Sequence, residues 1–113
     1  MKRVYNKLVR DNIINIIKEN GEIPIYRILE NDEYWECLLK KDAEELLEVK
    51  YAQSKEERKK ELADKLEVLK AMISTSGFTF DEIIEEAKKK ENNNGAFNKK
   101  LFLESVIKTD KNV

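Results

Sequence analysis

The sequence contains no histidine, and that absence removes more chemistry than any other feature of the chain. Ser-His-Asp and Cys-His nucleophile systems need an imidazole to take the proton, so both are excluded, as are zinc sites built on His. A single cysteine rules out an intrachain disulfide. Cys37 falls in a helical stretch with no base to activate it, and reads as a small packing side chain. Three glycines cannot build a phosphate cradle, and neither a Gly-x-Gly-x-x-Gly run nor a P-loop occurs. No stretch approaches the roughly 20 apolar residues of a membrane span. Met1-Lys-Arg-Val4 leads into polar residues, unlike a secretory signal. The expectation is a cytoplasmic protein with no membrane partner. With 22 basic against 23 acidic residues, the net charge of −1 provides no global field for a nucleic acid polymer. An enzyme made from this chain must work with carboxylates, Lys, Arg and a metal.

What is present is charge on helical periodicity. Charged residues make up 40% of the 113 positions and hydrophobic ones 41%, enough for one domain with a modest core. The expected fold is all-α. Residues 1–10 form a basic arm with interleaved apolar side chains. Asp11 caps a helix to about Asn20, ended by Gly21. Residues 22–29 read as a short extended segment, confined to an edge by Pro24. Asn31 or Asp32 caps a second helix to about Ala52. Ser54-Lys-Glu-Glu57 is a capping box opening a third, to about Thr75. Thr79-Phe-Asp-Glu82 opens a fourth, to about Glu91, followed by a loop at 92–95 and a basic-apolar segment at 97–103. One domain is expected over 1–107, with a disordered tail at 108–113.

The second and third helices carry the informative residues. Glu45 and Glu48 on one, and Glu61 and Asp64 on the other, are acid pairs at a spacing of three. That spacing sets both members on one helix face, about 60° apart, where like charges cost a few tenths of a kcal/mol. A short turn makes the two helices antiparallel, so the pairs face each other. Four converging carboxylates suit a hard cation, Mg2+ or Mn2+. In so charged a chain the alternative is a pair of solvated faces. Position favours a cleft. The acids border apolar arcs formed by Trp35, Leu38, Leu39, Leu46 and Val49 on one helix, and by Leu62, Leu66, Leu69 and Ile73 on the other. Asp42 falls inside the first arc and Lys65 near the second. Either they line the cleft, or the helices depart from the ideal wheel and Lys65 reaches outward to water.

Glu45-x-x-Glu48 followed by Glu61-x-x-Asp64 resembles the metal motif of the all-α nucleoside triphosphate pyrophosphohydrolases, the MazG-like superfamily. Tyr5-Asn-Lys-Leu-Val-Arg-Asp11 resembles the opening of a compact branch of it, labelled phosphoribosyl-ATP pyrophosphohydrolase-like or house-cleaning. Ile25 to Leu29, Leu66-Glu-Val68 and Gly95 to Glu104 are similar too, so the likeness runs from about Tyr5 to Glu104. The chain departs from that branch at Asn12-Ile13-Ile14, where a Pro is common, and at Asn92 to Phe97, which lacks an Arg and paired glycines. The resemblance implies a helical bundle with a four-helix core completed by dimerisation, or a higher homo-oligomer. It also implies cleavage between the α and β phosphates of a nucleotide, giving a monophosphate and pyrophosphate. Glu45, Glu48, Glu61 and Asp64 would then hold Mg2+, with Mn2+ as a substitute, while Lys7 and Arg10 hold phosphate.

Anhydride hydrolysis needs neutralised phosphate oxygens, an aligned water and a base. Glu48, or else Glu44, is the expected base. Lys65, Lys99 and Lys100 join Lys7 and Arg10 as expected substrate contacts. The competing readings are a helical interaction protein without activity and a nucleotide sensor.

Overall fold

The structure is a computed structural model that describes residues 1–110. It is all-α, with four helices and no strand among the described residues: α1 (Ile13–Glu19), α2 (Asn31–Tyr51), α3 (Lys55–Thr75) and α4 (Phe80–Asn94). The chain divides into two compact units, Met1–Phe80 and the residues from Asp81 onward.

The first unit is built on the hairpin of α2 and α3. Among its described helices these two alone pack against each other. Their joint is three residues long, Ala52 to Ser54, and its chemistry follows the capping box. The Ser54 hydroxyl accepts from the Glu57 N–H at 3.0 Å. Glu57 in turn accepts from the Gln53 N–H at 2.7 Å, one residue earlier than the usual reciprocal bond. At its far end α3 closes with Gly77 at φ 88°; the Phe78 N–H reaches back to the Ile73 carbonyl at 3.2 Å and the Gly77 N–H to Ser74 at 3.0 Å. α1 ends the same way at Gly21, with Glu22 bonded to Ile17 and Gly21 to Lys18. A left-handed glycine after the last turn satisfies carbonyls that the helix leaves open.

Two helix starts differ in detail from the expectation. α1 begins at Ile13 with Asn12 at the cap position, and Asp11 does not cap it. Asn12 is itself in the right-handed helical region and makes no cap bond, so this start rests on the backbone, with Ile13 N–H bonded to the Arg10 carbonyl at 3.1 Å. α2 takes extended Glu30 as its cap residue, and Asn31 and Asp32 lie inside its first turn. The segment before it forms no strand. It is tied by Arg27, whose guanidinium donates to both oxygens of Glu33 at 2.8 and 2.5 Å. In place of a ladder, a bidentate ion pair anchors this stretch to the dipole-positive end of α2.

The core is narrow. Leu38, Val68 and Ile73 are the buried apolar residues among those described. Leu46, Leu62, Leu66 and Leu69 stay 44–55% exposed. Two helices cover only one stripe of each other, and the rest of each apolar arc needs a further layer.

In the second unit α4 continues to Asn94, so Asn92 to Asn94 are helical rather than a loop. Gly95 at φ 86° stops it, with its N–H on the Glu91 carbonyl at 2.7 Å. Asparagine is a poor helix former but no breaker, whereas glycine supplies the left-handed exit. Residues 101–110 have neither helix nor strand; the expected tail at 108–113 lies partly outside the described residues.

Candidate metal centre

Two cross-hairpin meetings set the register of α2 against α3. Asp42 meets Lys65, and one turn along, Glu45 meets Glu61 and Asp64. Glu45, Glu61 and Asp64 each place a carboxylate oxygen within 4.8 Å of the others. Glu45 is the buried charged residue of the described chain, at 7% exposure; Glu61 and Asp64 are half-buried. Three of the four paired acids therefore converge across the antiparallel hairpin, and Glu48 is not among them.

The electrostatics record the crowding. Burial pushes the Glu45 carboxyl above its ordinary range, and Asp64, Glu61 and Glu44 add to that while Lys41 opposes it. The Glu61 carboxyl is also raised, by desolvation first, then by Glu48, Asp64 and Glu57. An acid that loses water and gains acidic neighbours favours its neutral form. Three oxygen donors with surplus negative charge suit a hard divalent cation, so the residues present fit the group that the sequence resemblance implies.

Glu48 is exposed and stands outside the trio, near enough to raise the Glu61 pKa. Glu44 is half-buried between two lysines, Lys7 at 3.5 Å and Lys41 at 3.7 Å. Arg10 reaches across from the N-terminal arm and donates to Asp64 Oδ1 at 2.7 Å. Lys7 and Arg10 thus border the acids. Lys65 does not join them. Its ammonium lies 2.6 Å from Asp42 Oδ1, beside Leu62, Leu66, Leu69 and Met72. The two residues that sit oddly on the apolar arcs are each other's partner. Lys99 and Lys100 belong to the second unit, where Lys100 has φ 59° and its N–H bonds to the Phe97 carbonyl at 3.3 Å.

Sequence reasoning missed Lys41. Its ammonium lies 3.7 Å from both Glu44 and Glu45. The signal was available, since Lys41 precedes them by three and four residues on one helix.

Comparison with curated proteins finds an uncharacterized protein of Mycolicibacterium smegmatis (strain ATCC 700084 / mc(2)155), 40% identical over 50 residues. The match covers 44% of this chain and 51% of that protein, so the chain spans about half the length of the curated relative it matches. No known family profile matches the chain. No solved structure matches it.

Proposed function

We propose that the protein is a Mg2+-dependent nucleotide pyrophosphohydrolase of the MazG-like kind, cleaving the α–β phosphoanhydride of a nucleoside triphosphate or related nucleotide. The observation that carries this reading is the convergence of Glu45, Glu61 and Asp64 on oxygens within 4.8 Å, the last two on the turn of α3 that faces Glu45. The whole-chain resemblance in sequence supports the choice of reaction.

Glu45, Glu61 and Asp64 would hold the cation, with Glu48 at the edge of the site. When bound, Mg2+ would supply positive charge to the phosphate oxygens and make a water more acidic. Glu48 is exposed, beside Glu61. In this reading it would take the water's proton in an in-line attack from which pyrophosphate departs. Glu44 is less suited, because two lysines already neutralise it. Lys7 and Arg10 supply donors to phosphate from the arm. Lys65 is committed to Asp42 and plays a packing role. The exposed leucines of α2 and α3 fit the expected homodimer, since a second copy would bury them.

No helix among the described residues is long and apolar enough to cross a membrane. The test is product analysis: purified protein and Mg2+ with a panel of canonical and modified nucleotides, alongside Glu61→Gln. Monophosphate and pyrophosphate, lost in the variant, are expected. No product from any nucleotide, with Mg2+ still raising the melting temperature, would favour the sensor reading instead.

A further inference from the structure

The arm that precedes α1 has almost no packing of its own. Of residues 1–12 only Leu8 is even half-buried. Two side chains tie the arm to the hairpin, and both ties are to acids at the centre just described. Lys7 lies 3.5 Å from Glu44, and Arg10 donates to Asp64 at 2.7 Å. Asn6 bends the arm toward them, with φ 47°, a left-handed conformation that Asn accepts at low cost. The Arg10 and Asp64 side chains are 57% and 42% exposed. An ion pair so wet is shallow, and salt or a stronger competitor breaks it.

Such a competitor follows from the proposed function, on which this inference rests. Asp64 belongs to the trio that fits a divalent cation. A guanidinium bonded to one of those acids feels the net negative charge of Glu45, Glu61 and Asp64. Two positive charges placed among them offset most of that attraction, and the cation competes with the guanidinium for the same Asp64 carboxylate. Lys41 loses attraction in the same way at 3.7 Å from Glu45, but helix α2 fixes its backbone. Lys7 and Arg10 are on irregular chain and can leave.

We propose that the N-terminal arm is a cation-released strap: Arg10 neutralises Asp64 in the metal-free protein, and a divalent cation entering the cluster expels it. Release frees a guanidinium fork beside the site, available to whatever anionic group the cation brings. The strap therefore orders events, with the cation first and the anion second. Linkage makes the effect reciprocal. If the cation loosens the arm, the arm weakens the cation by the same factor.

Mn2+ is the probe, used with the full chain, and bound Mn2+ is read by its paramagnetic resonance. Arg10→Ala should bind Mn2+ about two- to fivefold more tightly than the wild type, the range open to an exposed pair. The Arg is on the surface, so the variant should fold. The second readout is trypsin cleavage after Lys7, followed by mass spectrometry. Cleavage in the wild type should rise severalfold on adding Mn2+. In Arg10→Ala it should already be fast with chelator present. Weaker Mn2+ binding by Arg10→Ala would make Arg10 a support for its acid and overturn the strap. Tight Mn2+ binding with unchanged cleavage would overturn the strap and leave the metal centre standing. No Mn2+ binding at all would overturn both.

Discussion

Asp42 and Glu45 lie one helical turn apart on α2, both turned toward α3, and they meet opposite fates. Asp42 meets Lys65 at 2.6 Å, one acid to one base, among leucines. Glu45 is more deeply buried, yet the partners nearest it across the hairpin are two more acids. The first arrangement is complete as it stands: an acid on an apolar face is tolerated when a cation meets it. The second is not, because Lys41 and Arg10 only partly offset the crowded carboxylates, and burial with its acidic neighbours raises the Glu45 pKa. An apolar stripe can be crossed by a closed pair for packing, or by an open cluster that keeps free charge for a ligand.

The largest test of this contrast is catalytic. On the proposed function, Asp64→Asn removes a carboxylate from the open cluster and should lower pyrophosphate release by more than about a hundredfold, beyond the loss typical of outer-shell partners. Lys65→Met should leave release within about threefold, a span of under 1 kcal/mol in barrier.

Next comes the closed pair. Lys65→Met strands Asp42 on an apolar face and should destabilise the protein by about 1–2 kcal/mol in urea titration, between the values for exposed and buried pairs. Replacing both, Asp42→Leu with Lys65→Leu, should recover most of that loss. A double variant no better than the single one would mean that Asp42 has another role.

Ser54→Ala should cost about 1 kcal/mol by removing the bond to the Glu57 N–H. Since this joint sets the register of both meetings, the variant should weaken Mg2+ binding and the closed pair's contribution together.

The smallest effect has the opposite sign. In chelator at pH 7, Glu45→Gln should stabilise by about 0.5 kcal/mol, the relief of a like-charge contact. The pH dependence follows from the same cause. Glu45 and Glu61 hold their protons more tightly folded than unfolded. Between the ordinary carboxyl pKa and the raised one the native state binds more protons, so their contribution to stability falls as pH rises through that window. Melting with chelator should show this fall, and Mg2+ should cancel it. A melting curve with the same pH dependence in Glu45→Gln would place the titration elsewhere.

Much of this contrast was legible in the sequence. The hairpin was readable because Ser54 and Glu57 mark its joint and because Glu45, Glu61 and Asp64 keep a helical spacing. Asp42 and Lys65 were visible as misfits, but their pairing was not, since it depends on the rotation of two helices about their axes. The exposure of Leu62, Leu66 and Leu69 was likewise hidden. A periodic stripe shows that a face wants cover, not what covers it. Asp11 and Asn31 misled because a good capping residue competes with its neighbours, and backbone geometry at Asn12 and Glu30 decided the starts. Glu48 stays exposed near Glu61 and outside the trio, a difference from Glu45 that a shared spacing of three does not show.

The three-residue joint has a kinetic consequence. Asp42 and Lys65 are 23 positions apart in the chain, and Glu45 and the acids of α3 are nearer still, whereas Arg10 and Asp64 are separated by 54. Closing a short loop takes far less search than closing a long one. The negative patch is thus complete once two adjacent helices zip together, and the arm arrives afterwards at a surface already charged to receive it. Until the arm docks, the acids face water with Lys41 but without the Arg10 guanidinium, and a cation meets one competitor fewer.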